Sequence, residues 1–124
     1  MQTRNTFRKA ERLNKKKLID RLFQEGKSLY VNPIKCYSIE IQEKSSSRIQ
    51  ILIAVPKRNI KRAVDRNLIK RRIREAYRLN KHSLIRKLDE NDTNLLLAFV
   101  YTDRSLKDYK TIENAVKLYI QKYS

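Results

Sequence analysis

Apolar residues recur along this chain in two periods, and the switches between them divide it into elements. Leu18, Ile19, Leu22 and Phe23 fall on one stripe at helical spacing. Asn14 is placed to cap that helix, which runs to about Glu25, and Gly26 fits a left-handed C-terminal cap. Lys27–Val31 reads as a short strand that Asn32-Pro33 breaks. From Ile34 to Gln42 the period is two, with Tyr37, Ile39 and Ile41 on one side and Cys36, Ser38 and Glu40 on the other. Lys44 to Ser47 is a turn. Ile49, Ile51, Ile53 and Val55 then share one strand face; Leu52 and Ala54 make the other face apolar too, as in a central strand, and Pro56 ends it. The period returns to helical from about Ala63, where Ile69, Ile73, Ala76 and Tyr77 form a buried stripe that fades after Asn80. Ser83–Leu88 continues this helix or starts a second piece, and Asp89 to Asp92 reads as a polar turn. Asn94–Tyr101 is a nearly continuous apolar run of strand length, hence a buried strand. Ser105 with Asp108 makes a capping box before a last helix, whose Ile112, Ala115, Val116, Tyr119, Ile120 and Tyr123 are read as core.

The order is helix, two or three strands, helix, strand, helix: an α+β chain without repeats or an internal linker. Its 124 residues suit one domain, 1–124. Residues 1–17 are basic apart from Glu11, and the first 13 read as an arm that is partly disordered or threads along nucleic acid.

Charge changes the picture most. Thirty Lys and Arg face 13 Asp and Glu, for a net charge of +17. Such an excess opposes compaction and favours a polyanionic partner. The densest stretch is Lys57–Arg78, where ten of 22 residues are cationic and only Asp65 and Glu75 oppose them. Asn67, Lys70, Arg71, Arg74 and Arg78 lie opposite the buried stripe. An ordinary surface helix mixes signs at i, i+4, whereas this one repels itself, which points to nucleic acid more than to a membrane surface or plain solubility.

Other chemistries find little footing. One glycine and no GxGxxG or GxxxxGK[ST] pattern leave no phosphate-cradling loop, so no small-molecule nucleotide cofactor is expected. The lone Cys36 cannot form an internal disulfide; a strand thiol and a surface His82 are a better reading than a nucleophile pair. No His/Asp/Glu cluster suited to a two-metal site is evident, so neither a catalytic residue nor a metal ligand is assigned. Without an apolar run of membrane length, no membrane association is expected and the compartment is taken as cytoplasmic.

Ala63–Arg78, AVDRNLIKRRIREAYR, resembles the signature helix of the bacterial ribonuclease P protein component, with Arg66, Asn67, Lys70, Arg71 and Arg74 on its motif. Leu68 departs from it, standing where the family usually has Arg. Upstream, VPKRNIKR is similar to the family's strand end and loop. Arg12 to Gly26 is similar to its first helix, with Ile19 at a place that is often Phe, and Tyr37 falls on its strand tyrosine.

The resemblance implies an α-β-β-β-α-β-α domain with a mixed sheet and a left-handed βαβ crossover, as in the second domain of ribosomal protein S5, against the usual right-handed preference. It implies two partners: a catalytic RNA, bound by the basic helix through Arg62, Arg66, Asn67, Lys70, Arg71, Arg72, Arg74 and Arg78; and precursor tRNA, whose single-stranded 5′ leader would lie in a cleft marked by Arg12, Ile19, Phe23, Tyr37, Lys57 and Arg58. Hydrolysis would belong to Mg2+ held mainly by the RNA, the protein alone being inactive. The residues suit those roles. Arg forks onto phosphate, each neutralised phosphate releases counterions, and Phe23 and Tyr37 can stack bases, unless they are core. Arg72, one turn after Leu68, is placed to replace the missing charge. A ribosomal or other structural RNA-binding protein shares this composition but needs no leader cleft; a protein-only nuclease would need clustered carboxylates.

Overall fold

The computed structural model describes residues 11–42 and 47–123. They form α1 (Lys16–Glu25), β1 (Lys27–Val31), β2 (Ile34–Ile41), β3 (Ile49–Ala54), α2 (Ala63–Asn80), α3 (His82–Asn91), β4 (Asn94–Tyr101) and α4 (Tyr109–Tyr123). The class is α+β, with one mixed sheet in the order β1-β2-β4-β3. β1, β2 and β4 are antiparallel neighbours; β3 runs parallel to β4, and the crossover between them passes through α2 and α3. The helical stretch after Asn80 is thus a separate element, divided from α2 at Lys81.

Both sheet faces are covered, which makes β4 apolar on both sides: Leu95 to Phe99 are all buried. On one face Cys36, Ile51, Leu97, Phe99 and Tyr101 pack under Ile69, Ile73 and Tyr77 of α2 and Ile112, Val116 and Tyr119 of α4. Burial pushes the Cys36 thiol up to about 12, so it stays protonated and inert near neutral pH. On the other face a smaller cluster joins Leu13, Leu22, Ile41, Leu96 and Ala98, with Ile19, Tyr37, Ile39 and Leu52 at its margin.

β3 is an edge strand, not the central one its two apolar faces suggest. Its free edge is covered by the segment before α1: Arg12 bridges Ile51 in parallel, and the Leu13 amide donates to the Ile51 carbonyl at 2.9 Å. The basic arm is therefore fastened from residue 11 onward; residues 1–10 lie outside the described residues. The inward pull there is an ion pair. Lys81 Nζ donates to both Glu11 oxygens, at 2.8 and 3.0 Å, and both side chains are buried.

Three expected caps fall elsewhere. Asn14 does not cap α1: the chain is still leaving β3 there, and the N-cap is Lys15, without a side-chain cap bond. Gly26 is extended, at φ −71° and ψ 154°. Glycine is needed for space instead, since a Cβ would lie 2.3 Å from the Leu22 carbonyl oxygen. The left-handed cap sits at Asp92 (φ 50°), which ends α3, so the expected polar turn is largely helical. At α4 Asp108 is itself the cap, accepting from the Thr111 amide at 2.9 Å, and that bond holds its carboxyl below the usual range. Ser105 instead donates to Asp103 through its amide and its hydroxyl.

Candidate nucleic-acid interface

Two surfaces gather the residues singled out from the sequence. The first is the outer side of α2. Its buried stripe is the expected one, Ile69, Ile73, Ala76 and Tyr77. The helix packs through it and turns Asn67 and Arg71 to solvent, with Lys70 and Arg74 half-buried beside them.

Its cations divide by what they touch. The two acids of α2 are matched locally: Asp65 lies 3.9 Å from Arg62, and Glu75 accepts from Arg78 at 2.7 Å. The Arg78 bond holds the Glu75 carboxyl below its ordinary range. Arg66 turns back to the helix start, donating to the carbonyls of Ile60 and Lys61 at 3.1 and 2.7 Å. Arg72 donates to the Lys107 carbonyl at 2.6 Å, so its guanidinium fastens the β4–α4 loop to α2. Lys70, Arg71 and Asn67 make no side-chain hydrogen bond or ion pair among the described residues. They are the groups of this helix whose hydrogen-bonding capacity is open in the free protein.

The second surface is the α1 face of the sheet. Opposed residues on paired strands share a face, so the register builds rows across it. Ser28, Tyr37, Ala98 and Leu52 make one row; Tyr30, Lys35, Val100 and Ala54 make the next. α1 covers the rows around Ile41, Leu96 and Ala98 and leaves the Lys35 row half open. At the margin Phe23 meets Tyr37 edge to face, with centroids 4.8 Å apart, and is 40% exposed. Lys35 Nζ stands 5.2 Å from the centre of the Tyr37 ring. Ile19 is half-buried in the same cluster.

Three further cations lie along the β3 edge and beyond its end. Arg12 is exposed on the edge of β3 beside Ile51, one residue from Leu52. Lys57 and Arg58 are exposed where β3 ends, in a turn closed by the amides of Asn59 and Ile60 on the Pro56 carbonyl and pinned by buried Ile60. Ile19, Phe23 and Tyr37 thus come together, whereas Arg12 pairs on the β3 edge with Ile51, which packs into the opposite core, and Lys57 and Arg58 follow the end of β3. Lys35 was missed by sequence reading, although it shares the parity of Tyr37. Val100 and Ala54 were not separable from core without the sheet order.

Among the described residues, no three of His, Cys, Asp and Glu are grouped to hold a metal ion. No helix among them is long and apolar enough to cross a membrane.

The family model for ribonuclease P matches residues 7–123. The chain belongs to the ribonuclease P protein family. It is 38% identical over 109 residues to the ribonuclease P protein component of Porphyromonas gingivalis, covering 88% of this chain and 80% of that one. The ribonuclease P protein component of Chlorobaculum tepidum is 35% identical over 108 residues, covering 82% and 70%. In fold the chain is similar to the ribonuclease P protein of Staphylococcus aureus, with a TM-score of 0.73 at 22% identity over 93% of this chain and 95% of that one. Arg66, Asn67, Lys70, Arg71 and Arg74 all sit on one helix, α2. The aromatic pair lies on the opposite side of the sheet from it.

Proposed function

We propose that this chain is the protein subunit of a ribonuclease P ribonucleoprotein that removes the 5′ leader of precursor tRNA. In this reading the outer side of α2 binds the catalytic RNA. Asn67, Lys70, Arg71 and Arg74 make the main contacts with Arg62, while Arg66, Arg72 and Arg78 add their remaining N–H groups. The α1 face of the sheet takes the single-stranded leader. Phe23 and Tyr37 stack bases, Ile19 packs beside them, and Arg12, Lys57 and Arg58 meet phosphates. The RNA performs the hydrolysis with Mg2+ it holds itself, in the cytoplasm. The protein lowers phosphate repulsion and raises substrate affinity.

The observation that carries this reading is the division of the surface. On α2 the acids are matched locally while Lys70 and Arg71 stay open. On the opposite face an exposed aromatic edge stands beside the Lys35 ammonium. A structural RNA binder needs the first surface and has no use for the second.

The test is cleavage of precursor tRNA at low magnesium by protein alone, RNA alone and both together, followed by substrate binding to the assembled complex. Activity is expected only with the RNA present, and with protein greatly enhanced. Phe23→Ala or Tyr37→Ala should weaken leader-bearing substrate by about 1–3 kcal/mol and leave mature tRNA unaffected. Lys70→Ala or Arg71→Ala should instead weaken assembly with the RNA. Cleavage by the protein alone, or equal effects of both variant classes on mature tRNA, would overturn the reading.

A further inference from the structure

The open row next to Tyr37 ends in a second ring. Tyr30, on β1, is 57% exposed. Its neighbours Leu29 and Val31 pack into the main core, so Tyr30 points to the opposite face, the one that carries α1. β1 pairs with β2 so that Ser28 faces Tyr37 and Tyr30 faces Lys35. Tyr30 and Tyr37 are therefore diagonal neighbours on one face, about 7–8 Å apart. That spacing gives each ring room for a base of its own.

Packing does not account for Tyr30. It belongs to neither apolar cluster and makes no ring contact among the described residues. Its one tie is at the far end, where the hydroxyl donates to Asn32 Oδ1 at 2.9 Å. That bond steadies the ring beside the β1–β2 turn and leaves its faces clear. Lys35 lies directly across from Tyr30 and two residues before Tyr37 on the same face, with its ammonium over the Tyr37 ring. No acidic residue lies in either row. Two aromatic rings on one face with a cation beside them suit a single-stranded polyanion with unstacked bases.

We propose that Tyr30 and Lys35 form a further nucleotide subsite on this face. The Tyr30 ring stacks on a base of single-stranded RNA. The Lys35 ammonium leaves the Tyr37 ring when a base arrives there and takes the phosphate between the two bases. This rests on the reading that the α1 face holds the leader, and it extends that surface toward β1 by a nucleotide.

The experiment uses the assembled ribonucleoprotein and precursor tRNAs whose leaders are lengthened one nucleotide at a time, with Kd read by fluorescence anisotropy. Tyr37→Ala should weaken leader-bearing substrates generally. Tyr30→Ala should bind like the parent for the shortest leaders and lose about 5- to 150-fold once the leader reaches the second ring. Tyr30→Phe, which keeps the ring and loses the bond to Asn32, should bind like the parent. Lys35→Gln should reduce the salt slope of long-leader binding by about 1. Thermal melts of Tyr30→Ala should stay close to the parent, since the ring is 57% exposed and belongs to neither apolar cluster. If Tyr37→Ala loses affinity and Tyr30→Ala never does at any length, the subsite is wrong while the leader reading stands. If neither variant loses affinity, both fall. A loss for Tyr30→Phe equal to that for Tyr30→Ala would assign the effect to the hydroxyl and overturn stacking.

Discussion

Side chains of one type do different work along α2, and their partners decide which. Arg71 has no partner among the described residues, whereas Arg72 next to it donates to the Lys107 carbonyl. Periodicity put both on a basic helix and could not separate them, because Lys107 is 35 residues away. The sequence suggested that Arg72 replaces the charge absent at Leu68. The geometry gives Arg72 a structural task whether or not it also reaches RNA. A hydrogen bond from a charged donor contributes about 1.5–3 kcal/mol, so Arg72→Ala should lower stability by roughly that amount. Leu68→Arg adds a charge to the helix and nothing to the loop, so it should raise RNA affinity without restoring the melting temperature. Thermal melts and filter binding on both single variants and the double variant separate the two tasks. A stable Arg72→Ala whose RNA affinity is restored by Leu68→Arg would favour charge replacement alone.

Elements whose period was strong were legible, because one stripe or one apolar run is set by the face each buries. α2 and β4 have the expected bounds and α4 the expected buried stripe, though α4 starts three residues later than a Ser105 cap implies. Their joints were not. Asn14, Gly26 and Ser105 have the right chemistry for caps, yet the chain around each is already committed to a strand edge, a close approach or another bond. The Glu11–Lys81 pair is the extreme case, joining residues 70 positions apart. It ties the segment that leads into α1 to the corner between α2 and α3, and the Tyr77 hydroxyl also donates to Glu11 Oε2 at 3.4 Å. Removing one member of a buried pair leaves the other charged and desolvated, at a cost of about 3–5 kcal/mol. Glu11→Gln or Lys81→Met should each destabilise on that scale. The double variant Glu11→Leu with Lys81→Met should recover most of the loss, since a well-packed apolar pair replaces an ion pair at little cost. Denaturant titration decides it: a double variant as unstable as the sum of the singles would mean that the pair does not act as a unit.

At the scale of the whole molecule the two surfaces call for opposite physics, and salt tells them apart. The +17 net charge made a polyanionic partner legible from composition alone. Composition could not show that the ring cluster and the cationic helix lie on opposite sides of the sheet, because that follows from strand order. Contacts between Lys or Arg and phosphate release counterions, so log affinity falls linearly with log salt in proportion to the phosphates neutralised. Stacking releases none. On the proposed function, assembly with the RNA partner should therefore weaken by several logs per log of salt, and Lys70→Ala or Arg71→Ala should each reduce the slope by about 1. Phe23→Ala should leave that slope and that affinity unchanged. In leader binding to the assembled complex it should lower affinity by a constant factor at every salt concentration, shifting the line without tilting it. Parallel titrations of both equilibria make the comparison. If Phe23→Ala tilts the leader line as strongly as Lys57→Ala does, the ring acts by holding a cation in place and not by stacking. If Lys70→Ala leaves the assembly slope intact, the outer side of α2 is not where the catalytic RNA lies.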